Sequence, residues 1–265
     1  MNIEKKYELL KNKLKEMGKV VIAYSGGVDS NFLLKVASDV LGENAVAVTV
    51  HAMMHSNREI EEAKEYTREF GVKHEVIKVD NFNEKGFIEN GPKRCYYCKC
   101  AVFDMIKNYA LKNNIKYILD GTNLDDLGDY RPGLKALEEL EIVSPLKDCG
   151  LTKEEIRILS KKLGLKTYNK PSFACLASRI PYGDKITEEK LRLVEESENY
   201  LQDLGFRQYR VRIHSDIARI EVAKDEICKF FDDEMMKNVY TKLKDTGFKY
   251  VTLDLNGYEM GSLNK

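Results

Sequence analysis

Val20-Val21-Ile22-Ala23-Tyr24-Ser25-Gly26-Gly27-Val28-Asp29-Ser30 opens as a short apolar run, breaks at two glycines, and continues from Val28 to Leu41 with apolar residues at helical spacing. Such a strand-to-helix turn suits a phosphate. Two glycines let the backbone approach an anion closely, and the helix start supplies unpaired N–H groups at the positive end of its dipole. Ser25 and Ser30 add hydroxyl donors, and Asp29 is a candidate to hold Mg2+ against phosphate oxygens. An ordinary connecting turn is the plainer reading of a lone Gly-Gly pair. Six suited positions in this context favour the phosphate loop.

Upstream, Ile3, Tyr7, Leu10, Leu14 and Met17 recur at steps of three and four, which predicts an amphipathic helix over 3–17. Downstream, Ala45–Val50 reads as a strand, Arg58–Phe70 as a helix, Glu75–Val79 as a strand and Ala101–Leu111 as a helix. Tyr117–Leu119 is an apolar strand that enters Asp120-Gly121-Thr122-Asn123. The alternation predicts an α/β fold, a parallel sheet with helices on both faces. Ligands of such sheets bind beyond the carboxyl ends of the strands. The Ser25 and Gly121 loops lie at two such ends and are expected to face one pocket. Asp125, Asp126, Asp129 and Arg131 follow the second loop and are candidates to face a triphosphate or its Mg2+.

The pattern changes after the helix Lys153–Leu163. Lys170-Pro171-Ser172 and Ile180-Pro181-Tyr182-Gly183 punctuate a stretch without clear period, a linker. Beyond it come a helix (Thr187–Leu204), two strands (Tyr209–Ile213 and Ala218–Val222), another helix and a strand (Tyr250–Leu255), a small α+β unit. The expected organisation is a nucleotide domain over 1–169, a linker over 170–186 that bears Cys175, and a substrate domain over 187–265.

Composition narrows the classes. The 265 residues are 43% hydrophobic, enough for a large core and two domains. Forty-three basic residues balance 43 acidic ones, which disfavours a nucleic-acid partner. No window approaches the roughly eighteen consecutive apolar residues of a membrane span, so no membrane partner is expected. The charged first turns lack the apolar region of a signal peptide, and a cytoplasmic protein is expected.

Of six cysteines, Cys95, Cys98 and Cys100 cluster, while Cys149, Cys175 and Cys228 stand alone. Clustered thiols in a reducing compartment suggest a metal or redox role, evenly balanced on spacing alone. A structural zinc site with Cys100 as a ligand and a CxxC dithiol are the alternatives to an iron–sulfur centre. Cys149 and Cys228 have no motif around them and are read as structural. On the strand near residue 210, Tyr209, Val211 and Ile213 point one way, and Arg210, Arg212 and His214 the other. Two arginines on one strand face suit a phosphate; a solvated sheet face is equally compatible. Arg219 and Glu221 extend the charge onto the neighbouring strand. Glu198 falls on the stripe of Leu191, Val194 and Leu201, where a carboxylate requires a partner or a task.

Ser25–Ser30 resembles the SGGxDS signature of PP-loop ATP pyrophosphatases. Arg94-Cys95-Tyr96-Tyr97-Cys98-Lys99, the run Gly121–Gly133 that contains Asp125-Asp126-Leu127-Gly128-Asp129-Tyr130-Arg131-Pro132, and Lys170-Pro171-Ser172-Phe173-Ala174-Cys175-Leu176-Ala177-Ser178-Arg179 are similar to the LarE family. This family consists of ATP-dependent sulfur transferases that make the nickel-pincer cofactor. The resemblance runs over nearly the whole chain. It implies that ATP is held at Ser25, Gly26, Gly27, Asp29, Ser30, Asp126 and Arg131, with Mg2+ on Asp29. It implies a pyridinium-3,5-biscarboxylate mononucleotide as substrate, with its phosphate on Arg210 and Arg212 and Glu198 in its pocket. The carboxylate would be adenylated, then converted to thiocarboxylate.

In part of the family the cysteine matched by Cys175 gives up its own sulfur and becomes dehydroalanine. This sequence departs from that pattern, because Cys95 and Cys98 are also present. Three-cysteine members resemble iron–sulfur proteins, so the resemblance implies a [4Fe–4S] cluster on Cys95, Cys98 and Cys175 and sulfide or another sulfur donor. A homo-oligomer is the expected form. A PP-loop tRNA thiolase and a non-catalytic nucleotide sensor are the alternatives outside this reading.

Overall fold

The computed structural model describes residues 1–128, 132–171 and 174–259. Four apolar runs form parallel strands β1 (Val20–Ala23), β2 (Ala45–His51), β3 (Lys73–Lys78) and β4 (Tyr117–Leu119), ordered β3-β2-β1-β4. The helices are α1 (Ile3–Met17), α2 (Val28–Leu41), α3 (Asn57–Glu69), α4 (Lys85–Ile88), α5 (Arg94–Lys112), α6 (Pro132–Glu139), α7 (Pro145–Asp148), α8 (Lys153–Lys162), α9 (Glu188–Asp203) and α10 (Asp233–Thr246). No helix among the described residues is long and apolar enough to cross a membrane. The chain divides into two compact units, Met1–Glu84 with Lys93–Phe173, and Lys85–Pro92 with Ala174–Lys265.

In the first unit, successive residues of β1 feed opposite faces of the sheet. Val20 and Ile22 pack with Leu10 and Leu14 of α1, Phe32 and Leu33 of α2, and Ile156 and Leu159 of α8. Val21 joins Phe103, Ile106 and Ala110 of α5 and Leu137 of α6. Both faces are therefore covered, which is why the strands read as continuous apolar runs rather than as alternating ones. Local chemistry fixes the helix starts: the Asn2 side chain caps α1, and Thr152 with Glu155 forms a capping box on α8.

The chain runs from β1 to β2 and β3 on one side and places β4 on the other, so β1 and β4 flank the point where strand order reverses. There the loops after β1 and β4 meet: a Cβ on Gly121 would lie 3.0 Å from the Ser30 amide nitrogen and 3.3 Å from the Asp29 carbonyl carbon. Glycine is required at this backbone-to-backbone approach.

The second unit holds β5 (Tyr209–His214), β6 (Ile217–Val222) and β7 (Tyr250–Leu253), antiparallel then parallel. Leu191, Val194 and Leu201 of α9 are buried, as the stripe predicts. The excursion Lys85–Pro92 packs with this unit. Asn90, in the left-handed region, donates from Nδ2 to the carbonyls of Ile180 (3.3 Å), Pro181 (2.7 Å) and Asp184 (2.8 Å).

Two expectations need correction. Helix α5 begins at Arg94, not at Ala101, so Cys95, Cys98 and Cys100 are helical residues. The arginine face of β5 is not solvated: Arg210 and Arg212 are buried along with Tyr209, Val211 and Ile213. Arg212 is paired with Glu221, and Arg210 lies over the Tyr258 ring.

Replacing Gly121 by alanine forces the β4 loop away from α2. The expected cost is about 1–3 kcal/mol of stability, read by urea denaturation, together with weaker ATP binding read by calorimetry.

Candidate active site

The β1–α2 turn is shaped by glycine. Gly26 has φ +69°, and a Cβ there would stand 3.1 Å from the Ala63 Cβ of α3. Gly27 is the N-cap of α2 and offers no side chain to its first-turn amides. The hydroxyls of Ser25 and Ser30 lie 3.1 Å apart across the turn, and Ser30 Oγ donates to the Gly27 carbonyl at 3.3 Å. Behind the loop, the Tyr24 hydroxyl donates to Asn31 Oδ1 at 2.6 Å, and Asn31 Nδ2 donates to Thr167 Oγ1 at 2.9 Å.

Asp29 points into this setting with its two oxygens unlike one another. Oδ2 accepts from Lys153 Nζ at the start of α8. Oδ1 is buried and has no hydrogen-bond partner. Burial raises the Asp29 carboxyl above its ordinary range against the opposing pull of Lys153. A half-satisfied buried carboxylate beside a glycine turn is the donor a hard divalent cation needs, so the residues present fit Mg2+.

The acidic loop after β4 divides its tasks. Asp125 Oδ2 accepts from the Lys153 amide at 2.8 Å and so anchors α8, while Asp126 Oδ2 accepts from the Asn123 amide at 3.0 Å. Asp129 and Arg131 lie outside the described residues, as do Ser172 and Phe173. Sequence reasoning missed two cations at the loop. Besides Lys153, Lys170 Nζ donates to Glu62 at 2.7 Å and to the Gly26 carbonyl at 3.4 Å. Arg157 fixes that segment through the carbonyls of Tyr168 (2.6 Å) and Lys170 (2.8 Å). The signal for Lys170 was its place in a quoted motif; Lys153 stood unremarked at a helix start.

In the second unit, Cys175 precedes a short 3-10 turn, Leu176–Arg179. Arg179 is 1% exposed. Its Nε and Nη2 donate to the two oxygens of Glu198 at 2.8 and 2.7 Å, and Nη1 donates to the carbonyls of Ala174 (2.6 Å) and Cys175 (3.0 Å). Glu198 Oε1 also accepts from the Val211 amide at 2.9 Å. The carboxylate on the apolar stripe thus has a partner, and through it a hold on the cysteine loop. Arg212 donates to Glu221 Oε2 from Nε (3.1 Å) and Nη2 (2.9 Å) and to the Ser178 carbonyl at 2.8 Å. Arg219 takes the other oxygen of Glu221 at 2.8 Å. Arg210 stacks on Tyr258, with 5.0 Å to the ring centroid. Burial, and next the neighbouring Arg179, push the Arg210 guanidinium down to about 10.

Among the described residues no disulfide joins the cysteines. Cys95 and Cys98 share one face of the first turns of α5, three residues apart. They belong to the first unit and Cys175 to the second. Among the described residues, no three Cys, His, Asp or Glu side chains form a group suited to hold a metal. Cys149 is buried, as a structural thiol should be, and burial raises its pKa. Cys228, also read as structural, is exposed on a 3-10 helix.

Comparison with known proteins agrees with this geometry. Residues 1–130 match the family model of a PP-loop domain. The chain is 41% identical over 263 residues to an uncharacterized protein of Synechocystis sp., covering 99% of this chain and 98% of the other. It is 37% identical over 254 residues to the pyridinium-3,5-bisthiocarboxylic acid mononucleotide synthase of Lactiplantibacillus plantarum, with 95% and 91% covered. An uncharacterized protein of Methanocaldococcus jannaschii is 34% identical over 257 residues, with 96% of this chain and 97% of the other covered.

Arg179→Met leaves the Glu198 charge buried without its guanidinium. Breaking such a pair costs about 3–5 kcal/mol, so the urea midpoint should fall. The freed loop should also let iodoacetamide alkylate Cys175 faster, as read by peptide mass spectrometry.

Proposed function

The chain belongs to the LarE family of PP-loop enzymes, ATP-dependent sulfur transferases, and from that membership we propose that it adenylates a carboxylate of pyridinium-3,5-biscarboxylate mononucleotide and converts it to a thiocarboxylate. One observation carries the nucleotide half of this reading: the buried, unpartnered Asp29 Oδ1 beside a glycine turn lined by two hydroxyls. Gly26 and Gly27 bring backbone amides to the phosphates, and Ser25 and Ser30 donate to their oxygens. Asp29 would hold Mg2+, which would supply charge neutralisation at the phosphates. Asp126 and Arg131 are assigned to the same nucleotide. The substrate carboxylate attacks the α-phosphorus and pyrophosphate leaves.

The mononucleotide phosphate is assigned to Arg210 and Arg212. Support comes from electrostatics. Burial, and after it the charge of neighbouring Arg179, lowers the Arg210 pKa, and an anion arriving there would restore the charged guanidinium. Glu221 already neutralises Arg212 and keeps its guanidinium oriented. Glu198 acts through Arg179, holding the Cys175 carbonyl, and so positions the thiol that the second half-reaction needs.

For that half-reaction we assign Cys95, Cys98 and Cys175 as thiolate ligands of a [4Fe–4S] cluster. Such a cluster, when bound by three thiolates, supplies an open iron for a transferable sulfide. The i, i+3 placement of Cys95 and Cys98 on α5 fits two of the three ligands. A second reading is sulfur donation by Cys175 itself, and a specific observation favours it: Arg179 holds the carbonyls of Ala174 and Cys175 within the second unit.

Two experiments test these assignments. Asp29→Asn should lower pyrophosphate release at least about a hundredfold, the size of a lost electrostatic contact at a reacting centre, with unchanged circular dichroism. Wild-type release would remove Asp29 from the site. Anaerobic protein should be brown with about four irons per chain, and mass spectrometry after turnover should find Cys175 intact. Dehydroalanine at Cys175, with Cys95→Ala still active, would establish the second reading instead.

A further inference from the structure

Lys153 stands where the metal reading of Asp29 needs room. Its ammonium binds Asp29 Oδ2, the one oxygen of that carboxylate with a partner, while Oδ1 has none. Its main chain cannot follow a moving ligand: the Lys153 amide is fixed by Asp125 Oδ2 at 2.8 Å, and the capping box of Thr152 and Glu155 sets the turn that carries it. Only the four-carbon stem is left to move. One turn along α8, Arg157 is committed to the carbonyls of Tyr168 and Lys170, and Lys170 to Glu62. Those cations hold the scaffold. Lys153 instead pairs with the carboxylate a divalent cation requires, and Asp126 adds a second negative charge near that carboxylate.

We propose that Lys153 is an exchangeable counter-ion of Asp29. It neutralises the carboxylate before nucleotide enters, yields it to Mg2+ when MgATP binds, and carries its ammonium onto the phosphate oxygens. The inference rests on the assignment of Asp29 as the metal ligand. Its physical basis is competition between like charges. An ammonium and a divalent cation on one carboxylate repel each other, and the arriving polyphosphate offers the ammonium a stronger anion than the one it leaves. A lysine suits this exchange better than an arginine, because its point charge rides a flexible stem and needs no planar partner. The lysine therefore weakens metal binding without nucleotide and strengthens nucleotide binding with metal.

The test uses the full chain, with Mn2+ as the probe metal read by electron paramagnetic resonance and a non-hydrolysable ATP analogue read by calorimetry. Without nucleotide, Lys153→Met should bind Mn2+ about ten- to a hundredfold more tightly than wild type, the affinity equivalent of one charge-assisted hydrogen bond. Lys153→Arg, which keeps a cation, should stay close to wild type. With Mg2+ present, Lys153→Met should bind the analogue at least about tenfold more weakly. Mn2+ affinity unchanged in Lys153→Met, or raised equally in Lys153→Arg, overturns the exchange. Unchanged analogue affinity overturns the transfer to phosphate. Asp29→Asn separates the two levels: lost Mn2+ binding there leaves the metal site standing whatever Lys153 does, whereas wild-type Mn2+ binding removes the site and the exchange together.

Discussion

A guanidinium with 1% of its surface exposed is tolerated at Arg179 because Glu198 meets it with both carboxylate oxygens, at 2.8 and 2.7 Å. Neither charge could remain in that interior alone, since desolvation would outweigh any packing gain. The pair orders its surroundings. The third nitrogen of Arg179 gathers the carbonyls around Cys175, and Glu198 also accepts the Val211 amide of β5. Helix α9, strand β5 and the cysteine loop are thereby fixed relative to one another by one ion pair, and the Arg212–Glu221–Arg219 chain adds its neighbours.

The two units use charge differently. In the second, the buried ions are largely paired with one another and behave as scaffold. In the first, the phosphate loop keeps one carboxylate oxygen unsatisfied and draws cations from α8 and the segment after it. Such a half-satisfied site is disfavoured in a resting interior, and it persists where a ligand completes it. The close approach of Gly121 to Ser30 shows the same economy in backbone form: space a side chain would fill is left for atoms to meet.

Much of the fold was visible in the sequence because apolar period and glycine punctuation are local properties. Val28–Leu41 and Tyr117–Leu119 have the same bounds in the structure as in the pattern. Helix α5 reads as starting only at Ala101 because its first turns carry Arg94, Tyr96, Tyr97 and Lys99 among the cysteines, which masks the period. The phosphate loop was readable for the same local reason. What eluded the sequence were side chains brought in from far along the chain. Lys153 reaches Asp29 across 124 residues and Lys170 reaches Gly26 across 144. For Arg210 and Arg212 a phosphate site and a solvated face were equally compatible with the sequence, because strand alternation reports direction and not what covers that direction. Glu198 was recognisable as anomalous, but its partner Arg179 was read as part of a motif.

The excursion Lys85–Pro92 has a consequence for modularity. Because this segment packs with the second unit while its flanks belong to the first, the polypeptide passes between units after Glu84, after Pro92 and after Phe173. No single contiguous stretch holds the whole second unit. A fragment beginning at Ala174 would lack Asn90 and leave the Ile180, Pro181 and Asp184 carbonyls without its amide. The protein is in this respect an interlaced pair and not two beads on a string. Recombination that exchanges one unit as a cassette would cut through the other, so no single crossover separates the unit with the glycine turn from the unit that bears Cys175.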